Sequence, residues 1–207
     1  MLKIWGRDNS VNVQKVMWCI AELELEFERI DTGLQFGGND EAWFLTLNPN
    51  GKVPLIDDDG FTLWESNSIV RYLCAKYDSG QLYPQPAADR ANAEKWMDWQ
   101  LSMLARPHAI AFWNLVRLPE AERDMRAVAR AVEATNRALS ILDRHLSEQR
   151  FVAGEAFTMG DIPVGAITHR WLALQGIDRP DWPALRRWFD SLAEREAYRQ
   201  HVMLPLS

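Results

Sequence analysis

The sequence predicts a small mixed α/β domain followed by an all-helical one. Three observations predict it. Over residues 1–78, short apolar runs of strand type alternate with segments of helical spacing. DSGQLYPQPAAD, residues 78–89, then interrupts the alternation with a glycine and two prolines. Beyond it the apolar residues recur at three- and four-residue intervals.

The elements follow in order. LKIWG reads as a strand ending at Gly6. From Ser10 the spacing changes: Val13, Val16, Met17 and Ile20 share one helical face, and this helix is expected to end near Leu25. FERID is a second strand, and two strands joined through a helix form a right-handed parallel unit. DEAWFLTLNP is a short helix stopped by Pro49. KVPLIDDDGFTLW places two apolar runs around Asp57, Asp58, Asp59 and Gly60, and the Asp-Gly pair is a strong hairpin signal. Ser66 to Tyr77 is helical again. Residues 79–89 form the linker and 90–207 the helical domain. Its first helix, or pair, runs from Arg90 to about Leu118, with Pro107 expected to kink or divide it. Others span Glu120 to Glu148, Thr158 to about Gln175, and Trp182 to Glu194. In FTMGD, Thr158 and Asp161 have the spacing of a capping box, with Phe157 and Ile162 placed as its hydrophobic staple. That box should stabilise the fold and do no chemistry.

Composition narrows the function. The 207 residues are 47% hydrophobic and 25% charged, ordinary for a soluble globular chain. Net charge is -6 and the basic residues are dispersed, which argues against nucleic-acid or anionic-membrane partners. No apolar run is long enough to span a membrane. MLKIWGRDNS lacks the apolar core and cleavage site of a signal peptide, so a cytoplasmic location is expected. Cys19 and Cys74 are the only cysteines and are distant in sequence, which speaks against a disulfide scaffold. The histidines at 108, 145, 169 and 201 lack ligand spacing, so no metal is expected.

Three motifs carry chemistry. In LNPNGKVPLI, Pro54 interrupts what reads as a buried strand. Either it is a trans proline on an edge, or the Val53–Pro54 bond is cis and Val53 presents its N–H and C=O to a peptide-like ligand. In WESNSIV, Ser66 opens a helix with Glu65 beside it. The pair either caps the helix, or holds a carboxylate at the helix N-terminus and a neighbouring ammonium on Glu65. In GRDNSVNVQKV, Ser10 lies between the first strand and first helix, with Asn12 one turn in. Ser10 either only caps the helix, or donates to a ligand thiolate whose pKa the helix terminus also lowers. Together these describe one elongated site with a backbone contact, a zwitterion clamp and a thiolate donor. Glutathione has those features.

Along essentially its whole length the chain resembles the cytosolic glutathione transferases. GRDNSVNVQKV, ELELEFERI, LNPNGKVPLI, LWESNSIVRYL and FVAGEAFTMGDIPVGAI carry the resemblance. It implies a thioredoxin-like first domain with a cis-proline, a helical second domain, and glutathione as cosubstrate. Val53, ahead of Pro54, would pair with the cysteinyl backbone. Glu65 and Ser66 would hold the γ-glutamyl end, and Lys52, with Asn39, the glycyl carboxylate. Ser10 falls where theta-like and zeta-like classes keep an activating serine, and a related bacterial group uses an asparagine near Asn12. The resemblance also implies a homodimer, with Asp98 reaching toward the partner's glutathione, and a small electrophilic second substrate between the domains. By location, Arg106, His108, Trp113, His201 and Met203 are its candidate contacts. Two alternatives stand beside the transferase: a glutathione-dependent peroxidase or disulfide-bond reductase, and a non-catalytic interaction module of the same fold.

Overall fold

Period-two strands and amphipathic helices over residues 1–77 build one sheet with helices packed on it. A computed structural model describes residues 1–207. Strand β1 (Leu2–Trp5) leads into helix α1 (Val11–Glu22) and strand β2 (Phe27–Ile30), which pairs parallel to β1. A short helix α2 (Ala42–Leu47) ends at Asn48, just ahead of Pro49. The Val53–Pro54 peptide is cis and immediately precedes strand β3 (Leu55–Asp58). Strand β4 (Phe61–Trp64) returns antiparallel. Asp59 and Gly60 both have positive φ, 52° and 92°, the backbone that a tight two-residue hairpin requires. The sheet order is β2-β1-β3-β4. Helix α3 (Ser66–Tyr77) covers it beside α1. The buried Asp58 carboxylate ties the hairpin to α3 by accepting from Tyr72 Oη (2.8 Å), Lys76 Nζ (2.7 Å) and Tyr77 Oη (2.7 Å).

The helical part begins earlier than expected: α4 (Ala87–Trp99) starts within the residues assigned to the linker. Pro107 does not divide the segment. Helical backbone continues through α5 (Arg106–Phe112), with π-helical turns at Gln100–Ala105 and again at Trp113–Arg117. Proline lacks the N–H that would complete the turn before it, and the wide turn ahead of Pro107 accommodates that loss. A wide turn also shifts every later residue around the helix, so faces read at 3.6 residues per turn lose register here.

Helix α6 (Met125–Leu146) starts at the Asp124 cap, whose carboxylate accepts from Ala127 N at 2.9 Å, so Glu120 lies outside it. Helix α7 (Asp161–Ala173) begins at Asp161 rather than Thr158. Half of the capping box is realised as expected: the Asp161 carboxylate accepts from Thr158 N at 3.0 Å. It also accepts from Val152 N (3.0 Å) and Trp188 Nε1 (2.9 Å). Helices α8 (Pro183–Ala193) and α9 (Glu196–His201) close the fold, and the sequence reading did not include α9.

The two parts share one buried core. Trp18 of α1 is fully buried, with its ring 4.5 Å from that of Tyr198 on α9. Tyr198 Oη in turn donates to Gly165 O at 2.9 Å. Arg195 grips the Glu22 carboxylate with two nitrogens, at 2.7 and 2.5 Å. Cys19 and Cys74 are distant in sequence but adjacent in space. Their buried sulfurs lie 3.6 Å apart, and the hydrogen bond between them, then burial, push the Cys19 thiol well above its usual range. No helix is long and apolar enough to cross a membrane.

Candidate functional site

A polar cleft of about 320 Å³ opens where α1, the loop before β3 and the start of α3 meet. Its lining brings together Asn12, Lys52, Val53, Pro54, Glu65 and Ser66, along with Asn48, Asn50 and Trp64. Sequence proximity explains only part of this. Asn12 lies in the first turn of α1, which follows the Trp5 end of β1. Trp5 pairs with Leu55 and Leu55 with Trp64, so that turn sits beside the open end of the β3–β4 hairpin.

The loop owes its shape to Asn48. Its Nδ2 donates to Lys52 O at 2.6 Å, and its Oδ1 accepts from Asn50 N at 3.1 Å. This side-chain-to-backbone turn follows from the Asn-Pro-Asn run. The cis peptide then leaves Val53 outside the ladder, since β3 begins at Leu55.

Glu65 has φ +73° and ψ 106°, a backbone that residues with a Cβ rarely adopt. Its carbonyl accepts from Ile69 N at 2.9 Å, so it stands at the N-cap position of α3 with an exposed side chain. No side chain caps α3, and Ser66 is its first helical residue rather than its cap. The positive end of the helix therefore faces the cleft.

Asn12 has a fixed orientation. Its Oδ1 accepts from Lys15 Nζ at 3.0 Å and from Ser66 Oγ at 3.3 Å. In its charged form Lys15 has only hydrogens to offer, so the amide oxygen faces it. The Nδ2 donor is thereby turned away from Lys15 and bonds to nothing in the protein. Lys15 is itself held by Gln100 Oε1 at 2.9 Å and Asn67 Oδ1 at 3.4 Å. Burial pulls its pKa down to about 7, against the opposing charge of Glu65 and with that of Arg170.

Other expected site residues lie elsewhere. Ser10 is at the N-cap position of α1 but makes no side-chain cap bond, and it does not line the cleft. Asn39 supports the loop from behind, donating from Nδ2 to Gly51 O at 2.9 Å. Of the five second-substrate candidates on the helical domain, none lines the cleft. Arg106 faces a groove between α5 and α6, with Pro107, Ala127 and Ala131. His108 is buried with its Nε2 unbonded, and burial, then Arg170 and Lys15, take its pKa down to about 3. Trp113 is exposed beside Arg117. His201 is half-buried, its pKa lowered by burial and then by Arg29. Met203 lines a separate apolar cavity with Leu115, Val116 and Leu206. Asp98 pairs with Arg71 of α3. Lys15, Asn48, Asn50 and Trp64 were not singled out from sequence. A lysine set at helical spacing among Val11, Trp18 and Cys19 was the available signal for the first.

No group of three or more His, Cys, Asp or Glu side chains comes together as a metal site. Lys52, the α3 terminus, Glu65 and the Asn12 amide instead present a cation, N–H groups, a carboxylate and a neutral donor around one polar cleft.

Comparison with known proteins bears on both halves. Residues 1–75 match the model for the glutathione S-transferase N-terminal domain, and residues 89–196 that for the C-terminal domain. Glutathione S-transferase GstB of Escherichia coli is 42% identical over 209 residues, covering 100% of each chain. Glutathione S-transferase 3 of Zea mays is 31% identical, over 97% of this chain and 93% of that protein. The crystal structure of the theta class glutathione S-transferase from the citrus canker pathogen Xanthomonas axonopodis pv. citri, with glutathione bound, superposes with a TM-score of 0.96. That structure is 44% identical and spans 100% of this chain and 99% of its own. With both domains matched in order and relatives aligned end to end, the chain belongs to the glutathione S-transferase family.

Proposed function

We propose that the protein binds glutathione in the cleft between α1 and α3 and joins the whole tripeptide, through its sulfur, to a small electrophile. The tripeptide lies extended across the loop before β3. Its cysteinyl N–H and C=O pair with the backbone of Val53, which Pro54 leaves outside the ladder. Its γ-glutamyl carboxylate sits at the start of α3 on Ser66, and its ammonium meets Glu65. Lys52 takes the glycyl carboxylate, and Asn39 holds the loop that carries Lys52. The thiolate accepts from Asn12 Nδ2, with Ser10 at the α1 terminus as a lesser donor. The observation that carries this reading is the Asn12 amide, turned by Lys15 so that a free donor remains at the cleft.

The mechanism needs no protein nucleophile. Hydrogen bonding to the charged form lowers the thiol pKa. The helix terminus adds a favourable field, and the thiolate is then held beside an electrophilic carbon. The sulfur–carbon bond forms as the electrophile's leaving group departs with the electron pair and the thiol proton passes to solvent, giving a thioether, as in a detoxifying conjugation. Two buried free cysteines support a reducing, cytoplasmic setting. A homodimer is supported by the exposed apolar residues Leu101, Met103 and Ile141 around the groove between α5 and α6.

Calorimetry with reduced glutathione tests the binding. Heat of binding is expected, weakened strongly in Ser66→Ala and Glu65→Ala; its absence in the parent protein refutes the reading. Turnover of a chlorinated nitroaromatic, compared with a hydroperoxide and a mixed disulfide, separates the transferase from the redox alternatives.

A further inference from the structure

Beside the cleft, where the two domains meet, three arginines gather and none is held in a salt bridge. Arg7 stands in the turn between β1 and α1, Arg117 at the end of the rod that begins with α4, and Arg170 on α7. A Cβ built on Gly33 would lie 3.1 Å from Arg7 Nη1 and 3.5 Å from Val53 Cγ1, so the Arg7 guanidinium and the cleft residue Val53 flank the same glycine. The Arg117 guanidinium lies 5.7 Å from the ring of Phe112 and 5.8 Å from that of Trp113, and Arg170 is 4.7 Å from Phe112. Phe112 is thus shared by two cations.

None of the three arginines enters a salt bridge. Arg170 donates to neutral oxygens only, Asn9 O at 2.6 Å and Gln14 Oε1 at 3.3 Å. Arg7 Nε and Arg117 Nε are buried with no partner. A buried guanidinium N–H left unpaired is costly, and several like charges brought together add to that cost. Their fields overlap: burial and then Arg117 lower the pKa of Arg7, while burial and then Arg117 and Arg7 bring Arg170 down to about 9. The protein as a whole has a net charge of -6, so the cluster does not follow from composition.

We infer that Arg7 and Arg117 form an anion subsite for the second substrate, so that the favoured electrophile carries a carboxylate or similar oxyanion. This rests on the transferase reading. A guanidinium fork matches a carboxylate in two parallel hydrogen bonds. Trp113 supplies an apolar flank, and the cavity lined by Leu115, Val116, Met203 and Leu206, of about 970 Å³, opens on the same segment to take the rest of the molecule. Arg170 is a positioning residue that holds Asn9 and, through it, the turn between Arg7 and Ser10.

The test pair is 4-chloro-3,5-dinitrobenzoate and its methyl ester. In both, the sulfur–carbon bond forms and the carbon–chlorine bond breaks. Chloride leaves with the electron pair and the thiol proton passes to solvent. Each kcat/KM is divided by the uncatalysed rate constant with glutathione. The carboxylate is expected to exceed the ester by roughly tenfold or more, and this ratio to fall toward one in Arg117→Met and in Arg7→Met. A parent ratio near one overturns the subsite, and needs no variant to fold. So does an equal loss on both electrophiles, or a raised glutathione KM, which would put these arginines on the tripeptide instead. Calorimetry with the unreactive 3,5-dinitrobenzoate and its methyl ester separates this inference from the transferase reading. Selective binding of the anion, lost in Arg117→Met, supports the subsite even if no glutathione is conjugated. Equal binding of the two, or none, overturns it even if glutathione is conjugated.

Discussion

Replacing Asn12 with alanine should raise the pKa of the bound glutathione thiol by about one to two units. Because Oδ1 is held by Lys15 at 3.0 Å and Ser66 at 3.3 Å, the amide can offer a thiolate only its Nδ2. A hydrogen bond to a charged partner contributes roughly 1.5–3 kcal/mol. Each pKa unit corresponds to about 1.4 kcal/mol, which gives the stated shift. The sign follows from which form is bonded: the donor stabilises the thiolate, so its removal moves the titration toward higher pH. The pH dependence of kcat/KM with a chlorinated nitroaromatic reports the shift, and the ultraviolet absorbance of the thiolate in the binary complex reports it without turnover. Ser10→Ala should shift it less, because Ser10 does not line the cleft. Lys15→Met should move the titration the same way as Asn12→Ala, by less, since the amide would remain but lose its imposed orientation. If Ser10→Ala raises the pKa and Asn12→Ala leaves it unmoved, the thiolate belongs to Ser10. If neither moves it, side-chain donation is not how the sulfur is activated.

Other outcomes concern the scaffold. Asp161→Ala leaves Val152 N, Thr158 N and Trp188 Nε1 without their acceptor, and should cost roughly 3–5 kcal/mol by denaturant titration; a loss below about 1 kcal/mol would mean water replaces the carboxylate. A Cβ at Gly165 would meet Leu192 Cδ1 at 2.8 Å and the Trp18 ring at 3.1 Å. Gly165→Ala should therefore destabilise by about 1–3 kcal/mol, read as a lowered Tm. Cys19 and Cys74 are 0% and 1% exposed, so a disulfide reagent should detect no thiol in the native protein and both after denaturation. Rapid native reaction would mean that the packing of α1 against α3 opens readily.

How much of this was legible in the sequence depends on the range of the determining interaction. The strands, α1, α3 and the hairpin follow from local spacing and from Asp-Gly, and the observed α3 spans the residues that the spacing assigned to it. Lys52, Val53, Pro54, Glu65 and Ser66 were legible because turn chemistry and helix ends are local, whereas Asn48, Asn50 and Trp64 on the same stretches read only as turn and strand residues. Past Gln100 the wide turns break the 3.6-residue count, so the groove that Arg106 lines could not be read from spacing. Three features were not legible. Lys15 acts through Gln100 and Asn67, far along the chain. The Cys19–Cys74 contact joins two helices. The clustering of Arg7, Arg117 and Arg170 exists only once the domains are docked.

Trp18 belongs to the first domain, yet its ring is packed by α9 of the second, and Arg195 and Glu22 bolt the same seam. Asn12 rides on the helix that carries Trp18, less than two turns away. An excised N-terminal half would bare an indole to water and release the helix that aims the amide. The thiol-binding pocket is thus not a portable module: its geometry is set from across the seam, and both halves should melt together in one transition.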